Sequence, residues 1–370
     1  MIAARVVLLA LDGFSCRALG PERTPRLWAL GRSGGRAPDG GRAVVPSSTY
    51  PGFATLLTGC LPSRHRVRTT ARARTGALPT WAGERRAAVP TLFDLCRRTG
   101  TPSAAIQGDH LLHEILATEA ADVRWPPAGP LAASVPLDSH GYPTNAAVRP
   151  HLLAVAARPE IAFLFGHLNE ADTLGHEHGP DDARTIACHR ATDAIIGEVL
   201  DTLADGWERT AVFIVSDHDM EPRTATPPID LLADAAVGEL AGETLADGGA
   251  ALVRLRSGAD PIALVAAVGR LDGVLRAAAA GAELVIVEAE PGRIFASDHL
   301  PPGGFHGGPA AVRTVAVAGG GHPAVPRIAG AIEARPPDLA DWAPTIATLL
   351  GLGLIGADGR DLGADGTSTP

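Results

Sequence analysis

Lysine is absent from the 370-residue chain, so all 32 basic residues are arginine. That removes chemistry resting on a side-chain primary amine: no Schiff base can form, and no P-loop lysine can reach a nucleotide's phosphates. Cysteine is scarce as well, with 4 residues at positions 16, 60, 96 and 188 and no Cys-x-x-Cys spacing. Free thiols in a reducing, cytoplasmic setting are therefore expected. No apolar run is long enough to span a bilayer, and the first, Val6 to Leu11, meets Asp12 too soon for a signal peptide. With a net charge of −9, neither a nucleic-acid polymer nor an anionic membrane is an expected partner, although a local basic pocket stays open. The length suits one large α/β domain or a domain carrying an insertion.

What is present is a set of apolar runs that stop abruptly at charge. Ala211-Val212-Phe213-Ile214-Val215 has the length and β-branched content of a buried strand and ends in Ser216-Asp217-His218-Asp219. Val6 to Leu11 ends in Asp12-Gly13, and Ile161-Ala162-Phe163-Leu164-Phe165 runs on toward Asp172 and His176. A carboxylate and an imidazole delivered at a strand end inherit the rigidity of the sheet, which suits a metal site. A capped strand end with solvated polar residues is the plainer reading of each one alone.

Between these runs, helices are expected from Thr24-Pro25 through Leu30, over 91–98 with Gly100 closing it, over 146–157, over 181–204 and over 338–350. A glycine-rich loop is expected at 31–41, followed by a short strand at Val44-Val45. Thr49 then falls where a loop turns into a helix whose Phe53, Leu56 and Leu57 sit at helical spacing. The partial positive charge of that terminus favours an anion beside it. Residues 64–88, rich in arginine, read as a surface excursion. Ser139-His140-Gly141-Tyr142-Pro143 reads as a turn able to overhang a site. Residues 225–300 form a small α+β set of their own, read as a cap insertion. The catalytic domain is then 1–224 with 301–355, and 356–370 is expected to be a flexible tail.

Alternating strands and helices argue for a mostly parallel central sheet with helices on both faces. The carboxyl ends of such strands face the ligand crevice, so Asp12, Asp172, His176, Asp217 and His218 can converge there. His306 precedes its strand, and reaches the same rim only if its loop returns over the site. Six oxygen and nitrogen ligands without a thiolate suit two divalent ions, Zn²⁺ first and Mn²⁺ or Mg²⁺ as alternatives. Paired ions suit phosphoryl displacement on a small phosphorylated substrate, and Thr49 offers a hydroxyl nucleophile activated by a cation and a helix N-terminus. Taken alone, Thr49 also reads as an ordinary helix cap.

These residues resemble the alkaline phosphatase superfamily, most closely its type I phosphodiesterase and nucleotide pyrophosphatase branch. The resemblance is carried by Leu11-Asp12-Gly13, Thr49-Tyr50-Pro51, Thr55 to Gly59 with Pro62 to His65, Asp172 to His176 with Gly179-Pro180, Ser216-Asp217-His218, His306-Gly307 and the closing Ala343-Pro344-Thr345-Ile346. It implies an alkaline phosphatase-like fold. It also implies one metal on Asp172, His176 and His306, the other on Asp12, Asp217 and His218, and a phospho-threonine intermediate on Thr49.

Three positions depart from that pattern. Gly52 stands where the diesterase branch commonly has Asn, Asp219 follows Asp217-His218 in place of Gly, and Arg66 follows His65 in place of Gly. Cys60-Leu61-Pro62-Ser63-Arg64 has the sulfatase Cys-x-Pro-Ser-Arg spelling, but Thr58-Gly59 precedes it and Thr49 holds the nucleophile slot. The expected activity is hydrolysis of phosphodiester or pyrophosphate bonds in a small molecule such as a nucleotide derivative. A phosphomonoesterase or a phosphonate-carbon bond hydrolase is the alternative, and a non-catalytic binding protein a more distant one.

Overall fold

A computed structural model describes residues 4–70 and 78–364. The strands are β1 (Arg5–Leu11), β2 (Gly35–Arg36), β3 (Ser103–Gln107), β4 (Val123–Trp125), β5 (Phe163–Leu168), β6 (Thr210–Ser216), β7 (Ala241–Asp247), β8 (Ala250–Leu255), β9 (Val274–Ala279), β10 (Leu284–Ala289) and β11 (Ala316–Gly320), besides several two-residue ladders. The longer helices are α1 (Pro25–Ser33), α2 (Thr49–Thr58), α3 (Leu92–Thr99), α4 (Asn145–Ala156), α5 (Glu170–His178), α6 (Ala183–Thr202), α7 (Pro261–Val268), α8 (Val325–Ala334) and α9 (Trp342–Leu350).

Seven strands form the central sheet in the order β2-β11-β6-β1-β5-β3-β4. β1 pairs in parallel with both β5 and β6, and β3 in parallel with β5 and β4; β11 runs antiparallel to β6 and β2. The unbroken apolar run of β1 follows from burial on both faces. Val6, Leu8 and Ala10 enter one core with Phe53 and Leu56 of α2, Phe93 of α3, Ile328 of α8 and Trp342 of α9. Val7, Leu9 and Leu11 enter the other with Leu27 of α1, Leu152 of α4 and Ile196 of α6. Each such side chain fully buried contributes about 1.5–3 kcal/mol, so the register of the central strands is strongly specified. That register pairs Leu11 with both Leu168 and Ser216, bringing the ends of β1, β5 and β6 level at one rim.

A second sheet, antiparallel throughout, has the order β9-β10-β8-β7. It has its own core, in which Val253, Val285, Val287 and Phe295 pack with Leu264 and Val268 of α7.

Several local expectations are corrected. α1 runs on to Ser33, and Gly35–Arg36 is the edge strand β2, so 31–41 is not one loop. The short strand here is Gly41–Arg42, paired with Arg313–Thr314, while Val44-Val45 has no strand structure. β5 extends to Leu168, placing His167 inside the sheet, and Asp172 with His176 sits on a helix of its own, α5. Over 356–364 the tail segment is docked through Leu362, which is buried, and Asp358, whose N–H donates to Gly59 O. Chain ends at 1–3 and 365–370, and 71–77 of the arginine-rich stretch, lie outside the described residues. No helix among the described residues is long and apolar enough to cross a membrane.

Candidate metal centre

Asp12 follows β1, and Asp217 and His218 follow β6. α5 begins two residues after β5 and carries Asp172 and His176 one turn apart on one face. His306 arrives because Gly304–Phe305 pairs antiparallel with Glu221–Pro222, folding its loop back over the rim. Asp172, His176 and His306 each offer a ligand atom within 4.8 Å of the others, and so do Asp12, Asp217 and His218. The two groups share a wall, since the rings of His218 and His306 stack with centroids 3.9 Å apart. All six ligand residues expected from the sequence thus come together.

Backbone contacts fix how these side chains face. Nδ1 of His176 bonds to Gly304 O at 3.0 Å and Nδ1 of His218 to Asp219 O at 3.0 Å. A carbonyl only accepts, so Nδ1 carries the proton in both rings and the Nε2 lone pair faces inward. Nε2 of His176 lies 3.5 Å from Asp172 Oδ1, and Nε2 of His218 lies 3.3 Å from Asp217 Oδ2. Oδ1 of Asp217 accepts from Gly13 N (3.1 Å) and His218 N (3.0 Å), which aims Oδ2 into the site. The turn after β1 needs glycine at 13: its φ is +58°, and a Cβ there would fall 2.8 Å from Asp172 Cα.

The donor set fits divalent cations. Asp172 Oδ1 and Asp217 Oδ2 are buried without a hydrogen-bond partner among the described residues. Such atoms are costly unless a ligand satisfies them. Burial, reinforced by Asp172 and Asp109, holds the Asp12 carboxyl well above the usual carboxylate range. Burial and then Asp12 and Asp172 do the same to Asp217, while burial presses the His218 imidazole well down. Cations among these groups relieve the repulsion and favour carboxylate and neutral imidazole, the forms that bind metal.

Thr49 opens α2 and is buried. Its Oγ1 lies 3.2 Å from Asp12 Oδ1 and 3.3 Å from His218 Nε2. Gly52, one turn on, packs against a member of the same group: a Cβ there would fall 2.9 Å from Asp217 Cβ. A side chain at this position is therefore excluded unless Asp217 shifts. Asp219 turns away from the site, pairing with Arg17 at 3.5 Å.

A cleft of about 510 Å³ continues outward from His176 and His306, past Thr70, His140, Asp247 and His299. His140 stands over His176, ring centroids 5.8 Å apart, as the 139–143 turn was expected to allow. That turn is tied down by Asp138, whose carboxylate accepts from Asn169 Nδ2, Thr173 Oγ1, His140 N and Tyr142 N. His65 is structural: buried, with Val67 N donating to its Nδ1 and Nε2 against Thr55 Oγ1. Cys60 is buried at the far end of α2, and all 4 cysteines are unpaired.

Three residues near the centre were not anticipated. His167 places Nε2 3.2 Å from Asp12 Oδ2. Thr70 accepts Tyr50 N–H at 3.0 Å, beside Thr49. Asp247, from the second sheet, accepts from Ser48 Oγ at 3.0 Å and Thr70 N at 2.9 Å. A histidine closing an apolar run was a usable signal for His167; a threonine in an arginine-rich stretch and an aspartate before a Gly-Gly turn carried none.

The model of the family described as type I phosphodiesterase/nucleotide pyrophosphatase matches residues 6–321. No curated protein matches at a significant level. Among solved structures, murine ectonucleotide pyrophosphatase/phosphodiesterase 5 superposes with a TM-score of 0.71 at 17% identity, covering 96% of this chain and 97% of that one. An inactive variant of the same murine protein in complex with AMP gives 0.73 at 16% identity with the same coverage. At such identities the structural likeness establishes the fold.

Proposed function

The chain belongs to the type I phosphodiesterase/nucleotide pyrophosphatase family, in the alkaline phosphatase superfamily, and we propose that it hydrolyses phosphodiester or pyrophosphate bonds in a small nucleotide-like molecule, with Thr49 as nucleophile. The observation that carries this reading is the placement of Thr49 Oγ1 at the N-terminus of α2, 3.2 Å from Asp12 Oδ1 and 3.3 Å from His218 Nε2. Asp172, His176 and His306 would hold one divalent cation and Asp12, Asp217 and His218 the other, Zn²⁺ first and Mn²⁺ or Mg²⁺ as alternatives; when bound they supply Lewis-acid charge to the reacting phosphoryl oxygens.

The chain's own residues do the rest. Thr49 directs its hydroxyl proton toward Asp12 Oδ1, which leaves an oxygen lone pair for the phosphorus. The positive end of α2 favours the developing alkoxide. The Oγ1–P bond forms as the P–O bond to the leaving group breaks, and the leaving oxygen departs with the electron pair. The proton taken up at Asp12 Oδ1 passes to the departing oxygen; water then forms the new P–O bond as the P–Oγ1 bond breaks, and one of its protons restores the Thr49 hydroxyl.

Thr70 accepts from Tyr50 N–H and can donate its own hydroxyl proton to a non-bridging phosphate oxygen. On its other side a recess lined by Tyr50, Val67, Leu78, Leu111 and Ile115 offers apolar surface for a planar group. The AMP held by the murine relative supports a small nucleotide as the kind of substrate. A phosphomonoester or phosphonate substrate is the second reading, favoured by Gly52, which leaves the first turn of α2 without a polar side chain at that point. A panel of aryl phosphodiester, pyrophosphate, phosphomonoester and phosphonate substrates, with metal analysis of protein purified without chelator, tests both. The first reading requires the diester or pyrophosphate to be preferred and close to two divalent metals per chain; a folded, active, metal-free protein overturns it.

A further inference from the structure

The tip of the β7–β8 hairpin, in the second sheet, reaches the centre at two points. Asp247 is buried, 6% exposed. Its Oδ2 accepts three hydrogen bonds, from Ser48 Oγ at 3.0 Å, Thr69 Oγ1 at 2.5 Å and Thr70 N at 2.9 Å. Ser48 precedes Thr49 directly. Thr70 accepts from the N–H of Tyr50, which follows Thr49, at 3.0 Å. One carboxylate oxygen therefore grips both chain neighbours of the nucleophile, Ser48 directly and Tyr50 through Thr70. The same hairpin tip holds the His306 segment, because Gly249 N donates to His306 O at 2.8 Å. The circle closes between the two gripped segments: Ser47 and Gly307 exchange backbone bonds at 3.0 and 2.9 Å, and Ser47 Oγ donates to Gly308 O at 2.7 Å.

From this geometry we propose that Asp247 is a positioning residue that locks the Thr49 turn and the His306 loop into one rigid unit, making the second-sheet hairpin a working part of the catalytic centre. The proposal rests on Thr49 being the nucleophile. Ser48 illustrates the cost of the arrangement: it caps α2 by position, yet makes no side-chain cap bond, its hydroxyl being committed to Asp247. Charge-assisted bonds to a buried carboxylate are strong and directional, so they fix the turn more tightly than a lone cap bond does. In-line attack tolerates little error, and a misplacement of about 1 Å can cost about 10²-fold in rate.

The test uses the full-length, metal-loaded protein with Asp247→Ala, Asp247→Asn, Ser48→Ala and the Ser48→Ala/Asp247→Ala pair. Asp247→Ala should lower kcat about 10²-fold, with little change in KM and with metal content retained. Asp247→Asn keeps an oxygen in the same place and should restore most of the rate. The double variant should be no worse than Asp247→Ala alone, because both changes open the same link. Hydrogen exchange should speed up in peptides covering 47–52 and 304–308, with or without metal. A wild-type kcat in Asp247→Ala, or multiplicative losses in the double variant, overturns the proposal. If Asp247→Ala fails to fold, Ser48→Ala with exchange measurements decides: unchanged protection and rate over 47–52 overturn it. A wild-type protein with no diesterase or pyrophosphatase activity overturns the functional reading instead, while the exchange comparison still judges the clamp.

Discussion

His167 and Asp12, from neighbouring strands, meet at the rim of the sheet with Nε2 of the imidazole 3.2 Å from Oδ2 of the carboxylate. Asp109 N–H approaches Nδ1 of the same ring at 3.5 Å, which leaves Nε2–H as the donor. Asp12 is thus held on one oxygen by His167 and faces Thr49 with the other. Groups that orient a metal ligand typically matter about 10–100-fold in metal affinity. His167→Ala should weaken retention of one of the two metals to that extent, measured by competition with a chelator, and His167→Gln, which still offers an N–H, should recover part of it. Unchanged metal affinity in His167→Ala would remove the orienting role.

Thr49→Ala should abolish turnover while both metals stay bound, since no first contact of the metal groups other than the Thr49 hydroxyl is lost. Thr49→Ser should keep measurable activity. Steady-state kinetics with metal analysis checks both, and normal turnover in Thr49→Ala would end the nucleophile assignment.

Gly52→Ala should damage the centre from behind. The added methyl falls 2.9 Å from Asp217 Cβ, so either α2 or Asp217 must move. Loss of metal at the Asp217 group and a fall in kcat are expected, with the overall fold retained by circular dichroism. Wild-type kinetics in this variant would show that the contact yields freely.

Two buried histidines make the fold acid-sensitive. Burial, with Arg68 adding to it, lowers His65 to about 3, and burial, with Arg23, lowers His189 to about 4. For His65 the geometry agrees: Nδ1 accepts from Val67 N–H, and a proton there would face another donor. Both are neutral when folded but bind a proton near pH 6.5 when unfolded. Their stabilisation is therefore complete above pH 6.5 and is lost as pH falls toward 4, each contributing about 1.4 kcal/mol per pH unit in that window. Urea unfolding between pH 7 and 4.5 should show this slope, and His65→Gln should flatten it by about one proton's worth. An identical slope in the variant would contradict the assignment.

How much of this was legible in the sequence differs from residue to residue. Asp12, Asp217 and His218 were readable because a fully buried strand cannot carry charge in its interior, so the first acidic residue marks the rim. Asp172 and His176 were readable as polar residues just beyond an apolar run, even though α5 itself was not foreseen. β2 and β11 were harder: two residues of one, and a glycine-rich half of the other, become strands only because the neighbouring edge offers unpaired backbone groups. α8 was not anticipated, since Pro326 in its first turn and its small residues give little apolar periodicity. Asp247 was beyond reach, since Leu-Ala-Asp-Gly-Gly spells an ordinary hairpin turn and only the docking of the second sheet gives its carboxylate a task.

The stereochemical course at phosphorus tests the central claim most directly. Each in-line displacement inverts phosphorus, so attack by Thr49 followed by attack by water gives net retention. With a chiral phosphorothioate diester hydrolysed in isotopically labelled water, retention is the result this structure predicts; inversion would mean that water attacks the substrate directly and that Thr49 never forms a bond to phosphorus.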